Sequence, residues 1–149
     1  VVDEGRVARL LRGVDERTNR LAEQRANVSH RRHDTLWIDG IKYLFVTAIE
    51  GCVDVAHHLA ASERWAAPDT NAAAFAVIAG HDVLDDALAK RMSLAVGFRN
   101  VLVHQYAAVD DARVIAALDE LDDLTMFVQQ VSAWILERSR PPSPLDDQH

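Results

Sequence analysis

Apolar residues recur at three- and four-residue steps from Thr35 to Ala61. Trp37, Ile41, Leu44, Phe45, Ala48, Cys52, Val55, Ala56 and Leu59 all fall on that pattern. A spacing this regular over so many residues specifies an α-helix with a continuous buried face. A helix of that kind cannot stand alone, so the remaining chain must supply surfaces that cover it.

The flanking segments supply them. Residues 6–28 carry Val7, Val14, Leu21 and Val28 seven apart, with Leu10 and Leu11 beside them. This narrow stripe predicts a first helix that packs along one neighbour. Residues 29–34 form a polar connection, and the basic cluster His30-Arg31-Arg32-His33 within it reads either as solvated surface or as a short phosphate-contacting patch. After a loop at 62–70, Asp69 or Thr70 is expected to cap a short helix over Asn71 to Ala79 that Gly80 ends. Asp82 is expected to cap the next helix, which carries Val83, Leu84, Leu88, Met92, Val96 and Phe98. Gly97 marks a place where another backbone would approach closely. Asp110 and Asp111 are expected to start one last long helix running through Leu118, Leu124, Phe127 and Val131 to Leu136. There is no β-alternation. The expected fold is all-α, an up-and-down bundle of four main helices plus a short one. Residues 1–139 are expected to form this one domain, and the Pro-rich residues 140–149 a disordered tail.

Charge narrows the function classes. The net charge is −7, and it is uneven: residues 1–42 sum to +2 and the remainder to −9. A broad nucleic-acid-binding face is therefore not expected, and any polyanion contact must be local. The single cysteine, Cys52, forms no intrachain disulfide and suits a reducing compartment. The first residues lack a charged-then-apolar leader pattern, and no apolar run is read as membrane-spanning. A cytoplasmic protein with no membrane partner is expected.

One stretch does not read as scaffold. Arg99-Asn100-Val101-Leu102-Val103-His104-Gln105-Tyr106 places an arginine, an amide, an imidazole and a phenol in an apolar setting. Burying such groups costs free energy unless they are paired or line a cleft. On a regular helix, with Arg99 at 0°, Asn100 lies at about 100°, His104 at about 140° and Tyr106 at about 340°. Arg99 and Tyr106 then share one face, Asn100 and His104 another. Either the helix breaks near Val103, or a second copy of the chain brings the pairs together across a two-fold axis. The chemistry suits a phosphodiester. Imidazole can move protons near neutral pH, and arginine binds phosphate oxygens through charge-assisted bonds. Asn100 can orient the imidazole, and Tyr106 can bond a phosphate or stack on a base. The alternative is a structural helix end. On the Thr35–Ala61 helix, Glu50, Asp54 and His57 fall within about 60° of one another, as a solvent face or as one wall of a polar cleft. His57-His58, His81, His30 and His33 lack metal-ligand spacing, so no metal is expected.

The motif Arg99-x4-His104-x-Tyr106, with Asn100 after the arginine, resembles the signature of HEPN-domain toxins of the HepT-like (DUF86) family. Ala48-Ile49-Glu50 into Asp54-Val55-Ala56-His57-His58 is similar to that family's second long helix. Val96 to His104 is similar to its signature helix, and Val109-Asp110 into Val114 and Leu118 to the start of its last helix. The likeness covers roughly residues 35–130. One departure is Gln105, where family members more often have glycine.

The resemblance implies an all-helical homodimer with the motif at the dimer cleft. It implies a metal-independent endoribonuclease with no cofactor, the toxin of a type II toxin–antitoxin module. Its expected partners are an RNA substrate and a minimal nucleotidyltransferase antitoxin, which in some systems transfers AMP to the motif tyrosine. Carried over by position, Arg99 and His104 are the expected catalytic pair and Asn100 supports them. Glu50 or Asp54 is the acidic residue expected to join the cleft, and Tyr106 is the candidate modification site. An adenylate on Tyr106 would place negative charge and bulk where an RNA phosphate binds. The competing reading is a non-catalytic nucleotide- or RNA-binding subunit of a nucleotidyltransferase complex.

Overall fold

The structure is a computed structural model that describes residues 1–105 and 108–143. Its helices are α1 (Glu4–Gln24), α2 (Val28–Arg31), α3 (Thr35–Ser62), α4 (Asn71–Ala79), α5 (Asp86–His104), α6 (Asp111–Ala117) and α7 (Asp122–Arg138). No strand occurs among the described residues. The four long helices α1, α3, α5 and α7 form the bundle expected from the sequence, and α4 packs between α3 and α5.

Helix α3 is central because its apolar residues extend over several sides, leaving one polar stripe through Glu50, Asp54 and His57. It contacts α1, α4, α5, α6 and α7, so residues on several sides, including Ile38, Ile41, Phe45, Ala48, Cys52, Val55 and Leu59, are buried. By length and composition alone α3 could cross a membrane, a property the sequence reading did not assign to it. Over half of its most apolar window is buried inside the bundle, as in the core helix of a folded domain. Phe75 of α4 and Phe127 of α7, both fully buried, meet edge to face at 5.8 Å. Burying a phenylalanine side chain contributes about 1.5–3 kcal/mol relative to leaving it exposed.

Several helix boundaries differ from expectation. Helix α1 stops at Gln24, not Val28, and a 3-10 turn spans Arg25–Asn27. The Gln24 side chain draws the chain round by accepting from Asn27 Nδ2 and Trp37 Nε1, both at 2.9 Å. The cap of α5 is Asp85, whose Oδ1 accepts from the Leu88 N–H at 2.6 Å. Asp82 instead lies in the left-handed region at φ 64°, within the turn that buries Val83 and Leu84. The expected last helix is two helices, because the backbone turns at 118–121 to bury both Leu118 and Leu121. Thr70 does cap α4, accepting from Ala73 N–H at 3.0 Å.

The glycine expectation also moves. A Cβ on Gly97 would meet nothing within 4 Å, so no part of this chain approaches it closely. The close approach is at Gly51, where a Cβ would stand 2.8 Å from Val14 Cγ2. The stripe on α1 is thus seated directly on the α3 backbone. The Pro-rich tail beyond Ser143 lies outside the described residues.

Candidate active site

Helix α5 is anchored by Val96 and Leu102, both nearly fully buried. Arg99 sits three residues from each, so its stem runs along the edge of the buried face and its head reaches outward. Phe98 fixes the same turn. Its ring meets Phe45 edge to face at 5.5 Å, and the Arg113 guanidinium lies 4.9 Å from its centroid.

The Arg99 guanidinium crosses to α3. Nη2 donates to Glu50 Oε1 at 2.6 Å, and Nη1 donates to Asn100 Oδ1 at 3.1 Å. The arginine side chain is 22% exposed and the glutamate 43%. Two of the five guanidinium N–H donors are thereby engaged, and the others are left for an anion. Of the two acidic candidates, Glu50 is the one that meets Arg99. Asp54, one turn on, is exposed and makes no hydrogen bond or ion pair among the described residues. Asn100 bonds to Arg99 and not to the histidine it was expected to orient.

His104 is the last residue of α5. The Gln105 N–H still donates to Val101 O at 2.9 Å, but Gln105 itself leaves helical geometry at φ −125°, ψ 34°. His104 is exposed and unpaired among the described residues. Five residues of helix separate it from Arg99 by about 140° of rotation and about 7.5 Å of rise. The two side chains of one copy therefore diverge. Tyr106 lies outside the described residues.

Three other histidines, His57, His58 and His81, are engaged structurally. His57 Nε2 pairs with Asn71 Oδ1 at 3.0 Å, and His58 Nε2 accepts from the Asp3 N–H at 3.3 Å. His81 stacks on Trp65 with centroids 4.1 Å apart.

Two features near the site were not read from the sequence. Lys42, on the apolar face of α3, is largely buried and pairs with Asp111 Oδ1 at 3.2 Å. A lysine directly after Ile41 on the buried apolar stripe, between Ile38 and Phe45, was the available signal. A cleft of about 320 Å³ is lined by Phe45 and Ile49 of α3 and by Met92 and Phe98 of α5, with Arg91 and Asp123 among its polar residues, and neither Arg99 nor Glu50 lines it. No local pattern reveals it, because its walls come from helices far apart in the chain.

The sequence model of the family described as Ribonuclease HepT-like matches residues 14–131. The chain belongs to this family. Two relatives of the HepT-like chain are nucleases by name. One, the mRNA nuclease HepT of Shewanella oneidensis, is 26% identical over 85 residues, covering 56% of this chain and 64% of that protein. Another, the tRNA nuclease HepT of Aphanizomenon flos-aquae, is 26% identical over 88 residues, covering 58% and 60%. The match thus spans less than two thirds of either relative. In three dimensions the HepT-like fold superposes on a tri-AMPylated Shewanella oneidensis HEPN toxin solved in complex with its MNT antitoxin. The TM-score is 0.79 at 20% identity, over 85% of this chain and 96% of that one. These matches and the all-helical bundle agree on the fold.

Proposed function

We propose that this chain is the endoribonuclease toxin of a type II toxin–antitoxin module, neutralised by a minimal nucleotidyltransferase. One observation carries the reading: Arg99 is held by Glu50 and Asn100 with donors to spare, and an unpaired His104 ends the same helix. The nuclease names of the two relatives, and the antitoxin-bound state of the similar HEPN toxin, support it.

Cleavage proceeds by internal transfer. His104 takes the proton from a ribose 2′-hydroxyl as that oxygen attacks the adjacent phosphorus. Arg99 stabilises the negative charge that develops on the non-bridging oxygens. The bond to the 5′-oxygen breaks as that oxygen takes a proton from water, and protonated His104 returns its proton to the hydroxide left behind, giving a 2′,3′-cyclic phosphate and a 5′-hydroxyl. This chemistry draws on protons and a fixed cation only, so the reaction is metal-independent.

The active unit is a homodimer. His104 and Arg99 diverge within one copy, and a second copy supplies the missing half of each pair. Exposed apolar side chains beside the site favour that pairing: Tyr43 on α3, and Val101 and Val103 on α5. Tyr106 is the modification site, where AMP from the nucleotidyltransferase blocks the RNA phosphate. Residues 1–139 are the functional domain, and the protein acts in the cytoplasm.

The test is cleavage of labelled RNA by purified dimer in EDTA. Wild type is expected to leave 2′,3′-cyclic phosphate ends, and His104→Ala to leave the RNA intact. Identical patterns from both proteins would remove the nuclease reading. The net charge of −7 favours one alternative, a non-catalytic RNA- or nucleotide-binding subunit. RNA binding without cleavage would select it. Intact mass after incubation with the nucleotidyltransferase and ATP tests Tyr106, since Tyr106→Phe is expected to abolish the added AMP.

A further inference from the structure

We infer that the basic turn His30-Arg31-Arg32-His33 grips the phosphate backbone of the RNA on the His104 side of the bundle. The inference rests on the RNA-directed reading above.

The observation is where the cations lie. Seven Lys and Arg side chains follow residue 42. Four of them, Arg91, Arg99, Arg113 and Arg138, are held in ion pairs with carboxylates. Arg99 itself spends part of its charge on Glu50. A chain of net charge −7 repels RNA unless local cations offset it. The basic turn is four consecutive exposed residues with no acid among them, and Arg31 and Arg32 make no ion pair among the described residues.

The fold brings this turn to the same end as the site. The turn spans the end of α2 and leads directly into the start of α3, which runs antiparallel to α5, so the start of α3 meets the end of α5. A cleft of about 220 Å³ is lined by Arg32, His33, Thr35, Ile38, Asp111 and Ile115. Asp111 pairs with Lys42. Lys42 in turn lines a second cleft with Leu102 and Val103, next to His104. A cleft beside the basic turn and a cleft beside the end of α5 are thus linked through the Lys42–Asp111 ion pair. Asp39, on the second cleft, makes no ion pair among the described residues, but three other carboxylates are engaged: Asp34 caps α3, Asp110 caps α6, and Asp111 holds Lys42. They offset the turn less than their number suggests.

The experiment measures binding of a fluorescein-labelled single-stranded RNA by anisotropy across a salt series, using full-length protein in the His104→Ala background so that the RNA survives. Arg31→Glu/Arg32→Glu is compared with Arg12→Glu/Arg20→Glu on α1, which changes the net charge equally. Circular dichroism confirms that both fold. The first pair is expected to weaken binding by tenfold or more. The neutral pair Arg31→Ala/Arg32→Ala is expected to lower the slope of log affinity against log salt by about 1.4, two single-strand phosphate contacts at about 0.7 each. The α1 pair is expected to change affinity far less. Equal losses from both charge reversals, or no loss from either, would overturn the assignment. RNA affinity kept by Arg31→Glu/Arg32→Glu with loss of the nucleotidyltransferase complex would give the turn to the protein partner instead. Absence of both binding and cleavage in wild type would remove the RNA reading and this inference together. Normal cleavage by wild type, with a salt slope left unchanged by Arg31→Ala/Arg32→Ala, would remove this inference alone.

Discussion

Arg99 Nη2 stands 2.6 Å from Glu50 Oε1, so the motif helix is tied to the central helix through the group assigned to stabilise the transition state. The pair is partly solvated, and its contribution to stability is about 1 kcal/mol or less. Its value is geometric. Arg99→Lys keeps the charge but loses the planar fork that bonds Glu50 and phosphate together. It is expected to lower kcat by about 10²–10³-fold, the scale for losing one transition-state donor, with a melting temperature close to wild type. Single-turnover cleavage with parallel thermal melts checks this; an unaltered rate would remove Arg99 from the site.

Gly51→Ala is expected to destabilise the fold by about 1–3 kcal/mol, the usual range for overpacking. The new methyl would meet Val14 Cγ2 at 2.8 Å, and Val14 is itself buried. Gly97→Ala is the control, because its Cβ has open space and helix propensity favours alanine by about 1 kcal/mol. Urea unfolding of the two variants should move in opposite directions. Equal shifts would contradict the packing of α1 on α3.

Cys52 is expected to resist thiol reagents in the native protein. It is fully buried on α3, and that burial pushes its thiol far above the ordinary range. Reaction with a chromogenic disulfide should be slow in buffer and immediate in denaturant. Fast native labelling would mean that α3 opens readily.

Asp85 gives the fold an acid-sensitive cap. The Leu88 N–H and then the Gln130 amide hold its carboxylate below the usual range. A depressed native value means that this stabilisation is present above the unfolded carboxylate range and fades as pH falls through the native value. Asp85→Asn keeps a capping oxygen without the titration. Its urea midpoint is expected to fall less than that of wild type between pH 5 and pH 2. Parallel curves would show that the α5 cap does not contribute to acid unfolding.

Much of this molecule is written in local pattern. The apolar recurrence from Trp37 to Leu59 is α3, and the stripe at Val7, Val14 and Leu21 is the buried face of α1. Boundaries were less legible where tertiary burial overrides local signals. Asp82 and Asp85 are both plausible caps, and only the burial of Val83 and Leu84 decides between them. The break at 118–121 is hidden because Leu118 and Leu121 continue a helical rhythm. At the site, the residue types were visible but their partners were not. Asn100 lies within a hydrogen bond of Arg99, its sequence neighbour, which a helical wheel places about 100° away. Long side chains close such gaps, and a wheel plots only where they start.

Helix α5 ends on His104, while Arg99 is fastened in its interior between Val96 and Leu102. The two proposed catalytic groups therefore belong to parts of the molecule with different mechanical character. One is welded to the core; the other stands where intrahelical hydrogen bonding runs out. On the proposed mechanism, a chemical group that shifts this helix end would displace the imidazole without melting a helix. If the proposed modification silences the protein, it needs to draw only on the free energy of one helix terminus, and the bundle can stay folded throughout.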